Sequence, residues 1–234
     1  MIKQRGAISK ATIGRMAIYY NTLKQMKDEG VEVFVSRALG RRVGIPSAVI
    51  RRDLAEFGEF GTQGVGYDVK YLLWRIEKIM GYHSVWKTVV VGVGLPILAI
   101  NQYYSFLPPG IRILAVLDLD ERNLGQPLPE LDLCVEPLER LEELVRDREI
   151  RIGIIIVSPA QAQMVADRLV QAGVEGIANF SPVPVSVPET VSLTQVNMGS
   201  WLSHLTFDLS QTATENYLLE FIGTRWIKES LTCE

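Results

Sequence analysis

Three runs of β-branched and other apolar residues, Thr88 to Val93, Ile111 to Leu117 and Ile152 to Val157, most constrain this chain. Each is too short for a buried helix and apolar on both faces, and helix-length segments separate them. Strands of that kind are covered on both sides, which means a parallel sheet wound with helices. Between them the spacing predicts a helix-length segment up to Phe106, an amphipathic helix from Pro137 to Arg148 and another from Pro159 to Ala172. Leu133-Cys134-Val135, Gly176 to Phe180 and Val191 to Val196 supply shorter candidate strands, and the chain from Met198 onward reads as helical. The expected fold class is α/β, a doubly wound parallel sheet domain.

Before residue 82 the pattern is different. Ser9 is placed to cap a helix with Ile13, Met16, Tyr20 and Leu23 on its apolar face, running to Gly30. Ser36 is placed to cap a second helix to Val43, and Gly44-Ile45-Pro46 makes a turn. Ser47 offers the next cap, and Ile50, Leu54 and Phe57 form one stripe of a third helix, so that Arg51 and Arg52 point outward. Gly58 breaks that helix. Gly61, Gly64 and Gly66 then sit between Phe60 and Tyr67, as a glycine-tipped hairpin requires. Val69 to Met80 reads as a fourth helix, and Gly81 to Ser84 as a boundary. Two readings stand at this point: a winged helix-turn-helix, or a surface helix with solvated arginines beside an ordinary hairpin.

Charge bears on that choice. The chain carries a net charge of -3, but residues 1 to 54 hold 11 Lys or Arg against 4 Asp or Glu, a balance of +7. The remainder holds 13 against 23, a balance of −10. This polarity favours a polyanion at the N-terminal end only, and the basic segment lacks the aromatic amphipathic face that would insert into a membrane. Duplex DNA is the expected partner. Cys134 and Cys233 match neither a disulfide framework nor a metal site, which suggests a reducing cytoplasm. The N-terminus has no signal-peptide core, and the apolar run from Thr88 to Ile100 falls short of the roughly 20 residues of a bilayer span.

Gly92-Val93-Gly94 lies where a strand meets a helix, and Asp118 ends the following strand. In a dinucleotide fold the glycines permit the tight turn and the approach of pyrophosphate, and the acid binds ribose hydroxyls. Here the third glycine position is Ile97, preceded by Leu95 and Pro96. Proline suits a first helical turn, whereas a branched side chain crowds the helix against the sheet. A dinucleotide site with a shifted helix and a Rossmann-like scaffold without nucleotide both remain open. No catalytic set accompanies the loop. His83 and His204 are the only histidines, and Tyr20 and Lys24, though spaced as in short-chain dehydrogenases, precede the nucleotide fold. A nucleotide domain without acid, base or nucleophile points to sensing. A nicotinamide-dependent oxidoreductase is the weakest alternative.

The whole chain, from about Ser9 to Leu209, resembles the Rex family of redox-sensing transcriptional repressors. The resemblance rests on Lys10-Ala11-Thr12-Ile13, Arg15 and Tyr19-Tyr20, on Arg51-Arg52-Asp53-Leu54, and on Phe57 to Gly61 with Gly64 to Val69. It continues through Gly92-Val93-Gly94, Tyr103, Asp118-Leu119-Asp120, Asn179-Phe180-Ser181-Pro182-Val183 and Val187-Pro188. It implies a homodimer with a winged-helix domain over residues 1–81, a dinucleotide-sensing Rossmann domain over 82–196, and a C-terminal helix over 197–234 exchanged between subunits. NADH would release the operator and NAD+ would favour DNA binding.

Carried onto this chain, the resemblance assigns DNA contacts to Lys10, Ser47, Val49, Arg51, Arg52, Thr62, Gln63, Gly64 and Tyr67. It assigns dinucleotide contacts to Gly92, Gly94, Leu95, Pro96, Tyr103, Asp118, Ser158, Pro159, Asn179 and Phe180, and coupling between the two to Arg15 and Asn197. No metal is implied. The family's Gly-x-Gly-Asn-Leu-Gly is altered after Gly94, and the acid that partners the arginine is Asn197 here, leaving Arg15 without that charge partner. The family's recognition-helix glutamine is Val49, which suits a thymine methyl rather than a bidentate adenine contact. These departures keep a second reading open, a Rex-like repressor that has lost dinucleotide sensing or senses another ligand. Residues 211–234 extend beyond the usual end. With Tyr217, Leu218, Phe221, Ile222, Trp226 and Ile227 at helical spacing, they suggest a helix packed on the dimer or a docking surface for a further partner.

Overall fold

The computed structural model describes residues 8–62, 64–94, 107–196, 199 and 202–210. They form two units, one from the residues up to Trp86 together with 107–112, the other from Lys87 to 94 and from Ile113 onward. Leu95, Pro96, Ile97, Tyr103, Asn197, Gln63 and residues 211–234, with the segment expected to be helical up to Phe106, lie outside the described residues.

In the first unit α1 spans Lys10–Asp28, and the Ser9 hydroxyl accepts the Thr12 amide at 3.0 Å, as a capping serine should. Met16, Tyr20 and Leu23 are buried, joined by Thr12, Tyr19 and Met26. Ile13 is exposed instead. The core stripe passes through Thr12 and Met16, four residues apart, and leaves Ile13 on its outer flank. α2 spans Ser36–Val43 and α3 Ser47–Phe57, but neither serine caps its helix. Val35 and Pro46 precede the two helices without a side-chain cap, so each serine is already the first helical residue. Gly44, at φ +69°, closes α2 in the left-handed conformation that glycine adopts cheaply.

Three short strands complete the unit: β1 (Val33–Phe34), β2 (Gly61–Thr62) and β3 (Gly66–Asp68), with β3 central and antiparallel to both. β1 has too few residues to show a period. α4 covers Val69–Met80, and the Asp68 carboxylate accepts the Tyr71 amide at 2.7 Å. Met16, Tyr19, Leu23, Leu39, Ile50, Leu54, Leu72 and Ile76 fill the core between the helices.

The second unit is a seven-stranded sheet. Its strands are β4 (Trp86–Val91), β5 (Ile111–Asp118), β6 (Pro127–Leu128), β7 (Leu133–Pro137), β8 (Ile152–Ile155), β9 (Gly176–Asn179) and β10 (Ser192–Gln195), in the order β10-β9-β8-β4-β5-β7-β6. The pairs β4–β8, β8–β9, β9–β10 and β5–β7 are parallel, and β6 adds an antiparallel edge to β7. Without that edge this is the doubly wound order in which the chain starts centrally, builds outward, then crosses back to the other side of its first strand. α5 (Leu141–Asp147) and α6 (Pro159–Ala172) connect its strands along the chain. The helix expected from Pro137 opens with a 3-10 turn, Leu138–Arg140, and becomes α-helical only at Leu141. Val89, Val91, Leu117, Leu141, Ile155, Val165 and Leu169 form the core. Residues 202–210 are helical.

Candidate nucleic-acid and dinucleotide sites

On α3 the buried face is Ile50, Asp53 and Leu54, and Arg51 and Arg52 are exposed. Arg51 is not loose, because its Nη1 donates to the Ser36 hydroxyl at 3.1 Å and ties α3 to the start of α2. Between α3 and the β2–β3 hairpin runs a groove of about 500 Å³ whose walls include Ser36, Arg51, Phe60, Thr62, Gly64 and Tyr67. Arg51, Thr62, Gly64 and Tyr67 therefore come together. Lys10, Ser47, Val49 and Arg52 lie off this groove. Lys10 is exposed at the start of α1, and Ser47 and Val49 are half-buried in the first turn of α3. Gly66 sits at φ +115°, and a Cβ there would stand 2.3 Å from the Phe34 carbonyl oxygen, so only glycine lets β3 lie against β1. The Tyr67 ring stacks on Phe34 with centroids 5.4 Å apart, which stiffens the base of the hairpin.

Behind the arginines lies an ion pair that sequence reasoning missed. Asp53 is fully buried, yet its Oδ2 accepts from Arg15 Nε at 2.6 Å and from the Tyr19 hydroxyl at 2.8 Å, and its Oδ1 from Arg15 Nη2 at 2.7 Å. Arg15, which the resemblance leaves without the acid at position 197, is paired with Asp53. The signal was present: three residues after Ile50 and one before Leu54, an acid falls inside the apolar stripe. Burial pushes the Asp53 carboxyl up, and the hydrogen bonds from Arg15 and Tyr19 outweigh it, so the group sits below the ordinary aspartate range. A carboxyl depressed in the folded state contributes stability above its unfolded pKa of about 3.9 and loses it as pH falls through the folded value. Acid titration of folding should therefore show a component below about pH 4 that disappears in Asp53→Asn. An unaltered acid limb in that variant would count against the pairing.

In the second unit the ends of β4, β5 and β8 surround a cavity of about 720 Å³. Gly92, Asp118 and Ser158 meet in its wall. Gly92 adopts φ +104°, and a Cβ there would lie 2.1 Å from the Ile156 carbonyl oxygen. Its amide donates to Leu117 across the sheet at 2.7 Å. The Asp118 side chain closes back on the loop: Oδ2 accepts from the Val93 amide at 2.8 Å and from Asn123 Nδ2 at 3.0 Å, and Oδ1 from the Asp120 amide at 2.9 Å. Asp120 pairs with Arg122, whose guanidinium and amide hold that carboxyl down at about 2. Asn123, Arg122 and Gln161 also line the cavity and were not anticipated. They belong to a single 3-10 turn after Asp120 and to the first turn of α6, neither of which carries a motif.

Gly94 and Pro159 are not part of that wall. Asn179 is fully buried elsewhere, with its amide committed: Nδ2 donates to the Val183 carbonyl and to Gln195 Oε1, both at 2.8 Å, and Oδ1 accepts the Ser181 amide at 2.9 Å. It clamps the loop after β9 to β10. Phe180 is half-buried beside it, its amide bonded to the Ile155 carbonyl at 2.9 Å. Among the described residues no cluster of His, Cys, Asp or Glu could hold a metal ion, and no helix is long and apolar enough to cross a membrane.

Two family models match the chain. One described as "Putative DNA-binding protein N-terminus" matches residues 7–55, and one described as "CoA binding domain" matches residues 83–183. The chain is 43% identical over 202 residues to the redox-sensing transcriptional repressor Rex of Carboxydothermus hydrogenoformans, covering 86% of this chain and 96% of that protein. It is 42% identical over 204 residues to the protein of the same name from Syntrophomonas wolfei, covering 87% and 96%. Among solved structures, RSP in complex with β-NAD+ and operator DNA superposes with a TM-score of 0.81 at 32% identity, covering 94% of this chain and 99% of that one. RSP in complex with β-NADH superposes at 0.78 and 30%, covering 92% and 100%.

Proposed function

We infer, because this chain belongs to the Rex family of redox-sensing transcriptional repressors, that it represses transcription by binding operator DNA under the control of the NADH/NAD+ balance. The observation that carries this reading is the presence in one chain of an exposed arginine pair beside a hairpin groove and of a strand-end cavity built on Gly92 and Asp118. Arg51 and Arg52 would face the major groove, and the hairpin with Thr62, Gly64 and Tyr67 would follow the backbone.

The cavity residues fit a dinucleotide. Gly92 keeps the loop free of side-chain bulk where a pyrophosphate must approach the backbone, and Asp118 stands at the end of the next strand, where ribose hydroxyls are met. Asp118, Asp120 and Glu121 share one wall with a single paired arginine, a field that disfavours an added 2′-phosphate. The nicotinamide ring, when bound, supplies the redox signal. The chain's own part is to hold the adenosine end through Gly92, Val93 and Asp118 and to transmit the difference to α3. Control of this kind is a population shift, limited by the difference in affinity of the two nucleotides for the DNA-binding state. Two copies acting together would present two α3 helices to a two-fold operator. Leu202, Leu205, Phe207 and Leu209, all more than half exposed on the 202–210 helix, favour a second copy covering that helix.

One observation favours the second reading, a repressor of this family that no longer senses dinucleotide. Asp118 already accepts three hydrogen bonds, leaving about one of its roughly four lone-pair positions for a hydroxyl. Calorimetric titration of the full chain separates the two. The first reading expects saturable NADH binding, weaker NADPH binding, and loss of NADH affinity in Asp118→Ala. No heat at millimolar NADH would establish the second.

A further inference from the structure

The helix that carries the exposed arginines has one acid on its opposite face, and α1 supplies every hydrogen bond described for it. Arg15 and Tyr19 are four residues apart, so both project from one side of α1 onto Asp53. Arg15 approaches through two nitrogens onto two oxygens, a planar fork rather than a point contact. Its Nη2 also donates to Thr12 Oγ1 at 3.3 Å, and that hydroxyl lies 2.9 Å from Ser9 Oγ at the cap of α1. The acid of α3 is thus anchored along the first turns of another helix.

Apolar contacts through Ile50 and Leu54 hold α3 on the core, but they are non-directional and tolerate rotation of the helix. A fork does not. A step of one residue in α3 turns its side chains by about 100° and would carry Arg51 and Arg52 off the face they now share. An ion pair on a buried carboxylate stabilises a fold no better than a well-packed apolar pair, so the distinct contribution of this one, whose Arg15 side chain is a quarter exposed, is geometric. Asp53 adjoins Arg52 in the chain, which makes the fork a direct constraint on where the arginines point.

We propose that Arg15, Tyr19 and Asp53 form a positioning device that sets the rotation of α3, and that Asp53 thereby determines sequence specificity without touching DNA. This rests on the reading of α3 as the DNA-reading helix.

The test uses the full chain. Wild-type protein first selects a duplex from a random pool. Affinities for that duplex and for a random-sequence duplex of equal length are then measured for wild type, Asp53→Asn and Arg15→Lys, with folding followed by circular dichroism. The ratio of selected to random affinity should fall about tenfold or more in both variants, the equivalent of misreading one base pair. The salt dependence of random-duplex binding, which counts phosphate contacts, should stay within about one contact of wild type. Tyr19→Phe, which removes one bond of three, should fall between. Arg15→Lys keeps the charge and removes the fork, so it decides the matter if Asp53→Asn does not fold. A wild-type ratio in the folded variants, or unfolding of both, overturns the proposal in favour of a purely structural pair. A wild-type protein that selects no duplex overturns the DNA reading of α3 itself, and the proposal with it.

Discussion

Replacing Arg51 and Arg52 together with alanine should cost operator binding about 2–6 kcal/mol, the additive loss of two arginines that each read a base at about 1–3 kcal/mol. Both side chains are exposed and neither fills the core, so the double variant should keep its thermal transition within about 1 kcal/mol of wild type, as surface substitutions do. The two singles should differ in kind. Arg51 lies in the hairpin groove and is held by Ser36, so its loss also frees the start of α2. Arg52 lies off that groove, but its charge also favours the ionised Asp53 carboxylate, so its loss should weaken DNA binding and the Arg15–Asp53 pair together. Electrophoretic mobility shift on a selected duplex, paired with a melting curve, reads both quantities. Wild-type affinity in the double variant would remove α3 from the interface.

The second large effect is expected at Gly92. Valine there must adopt φ +104°, a conformation costing a non-glycine residue about 1–3 kcal/mol, and must push its Cβ away from the Ile156 carbonyl, adding about 1–3 kcal/mol of overpacking. The β4–β8 strand ends have to separate to admit it, and the same movement pulls the Val93 amide from Asp118. Gly92→Val should therefore lose about 2–6 kcal/mol of stability by denaturant unfolding and lose measurable NADH affinity. Alanine, which shares the strain but adds less bulk, should lie between. A valine variant with wild-type stability and nucleotide affinity would show that the loop is not held as described.

What could be read from the chain alone follows from how far each signal extends. α4 and α6 begin and end where their periodicity and flanking glycines place them, because a helix of three turns or more repeats its pattern several times. The sheet was legible for a related reason: the inner stretches of β4, β5 and β8 (88–91, 113–117 and 152–155) are largely buried on both faces and rich in β-branched and other apolar residues. β4 nevertheless begins two residues earlier, with Trp86 and Lys87, and β5 carries the exposed Arg112. β1 and β6, two residues each, offered no period at all. Ser36 and Ser47 were plausible caps by type, but each is the first helical residue, one position past the place where a capping side chain is useful.

At the sites, local geometry was legible and long-range partnership was not. Gly92 and Asp118 announce themselves through spacing along two adjacent strands. The Arg15–Asp53 pair joins residues 38 apart in sequence, and nothing in either neighbourhood names the other. Asn179, which the resemblance assigns to the dinucleotide, has a second partnership that no motif announces: its amide bonds Val183, Ser181 and Gln195. Buried amides that satisfy their own loop look, in sequence, like functional ones.

If one chain joins a DNA grip to a nucleotide cavity, the dissociation constant of the full chain for a selected duplex, measured at fixed salt, must differ between saturating NADH and saturating NAD+. NADH should leave a markedly weaker grip; an unchanged constant, at concentrations where calorimetry shows both nucleotides bound, would uncouple the cavity from the DNA-binding helix.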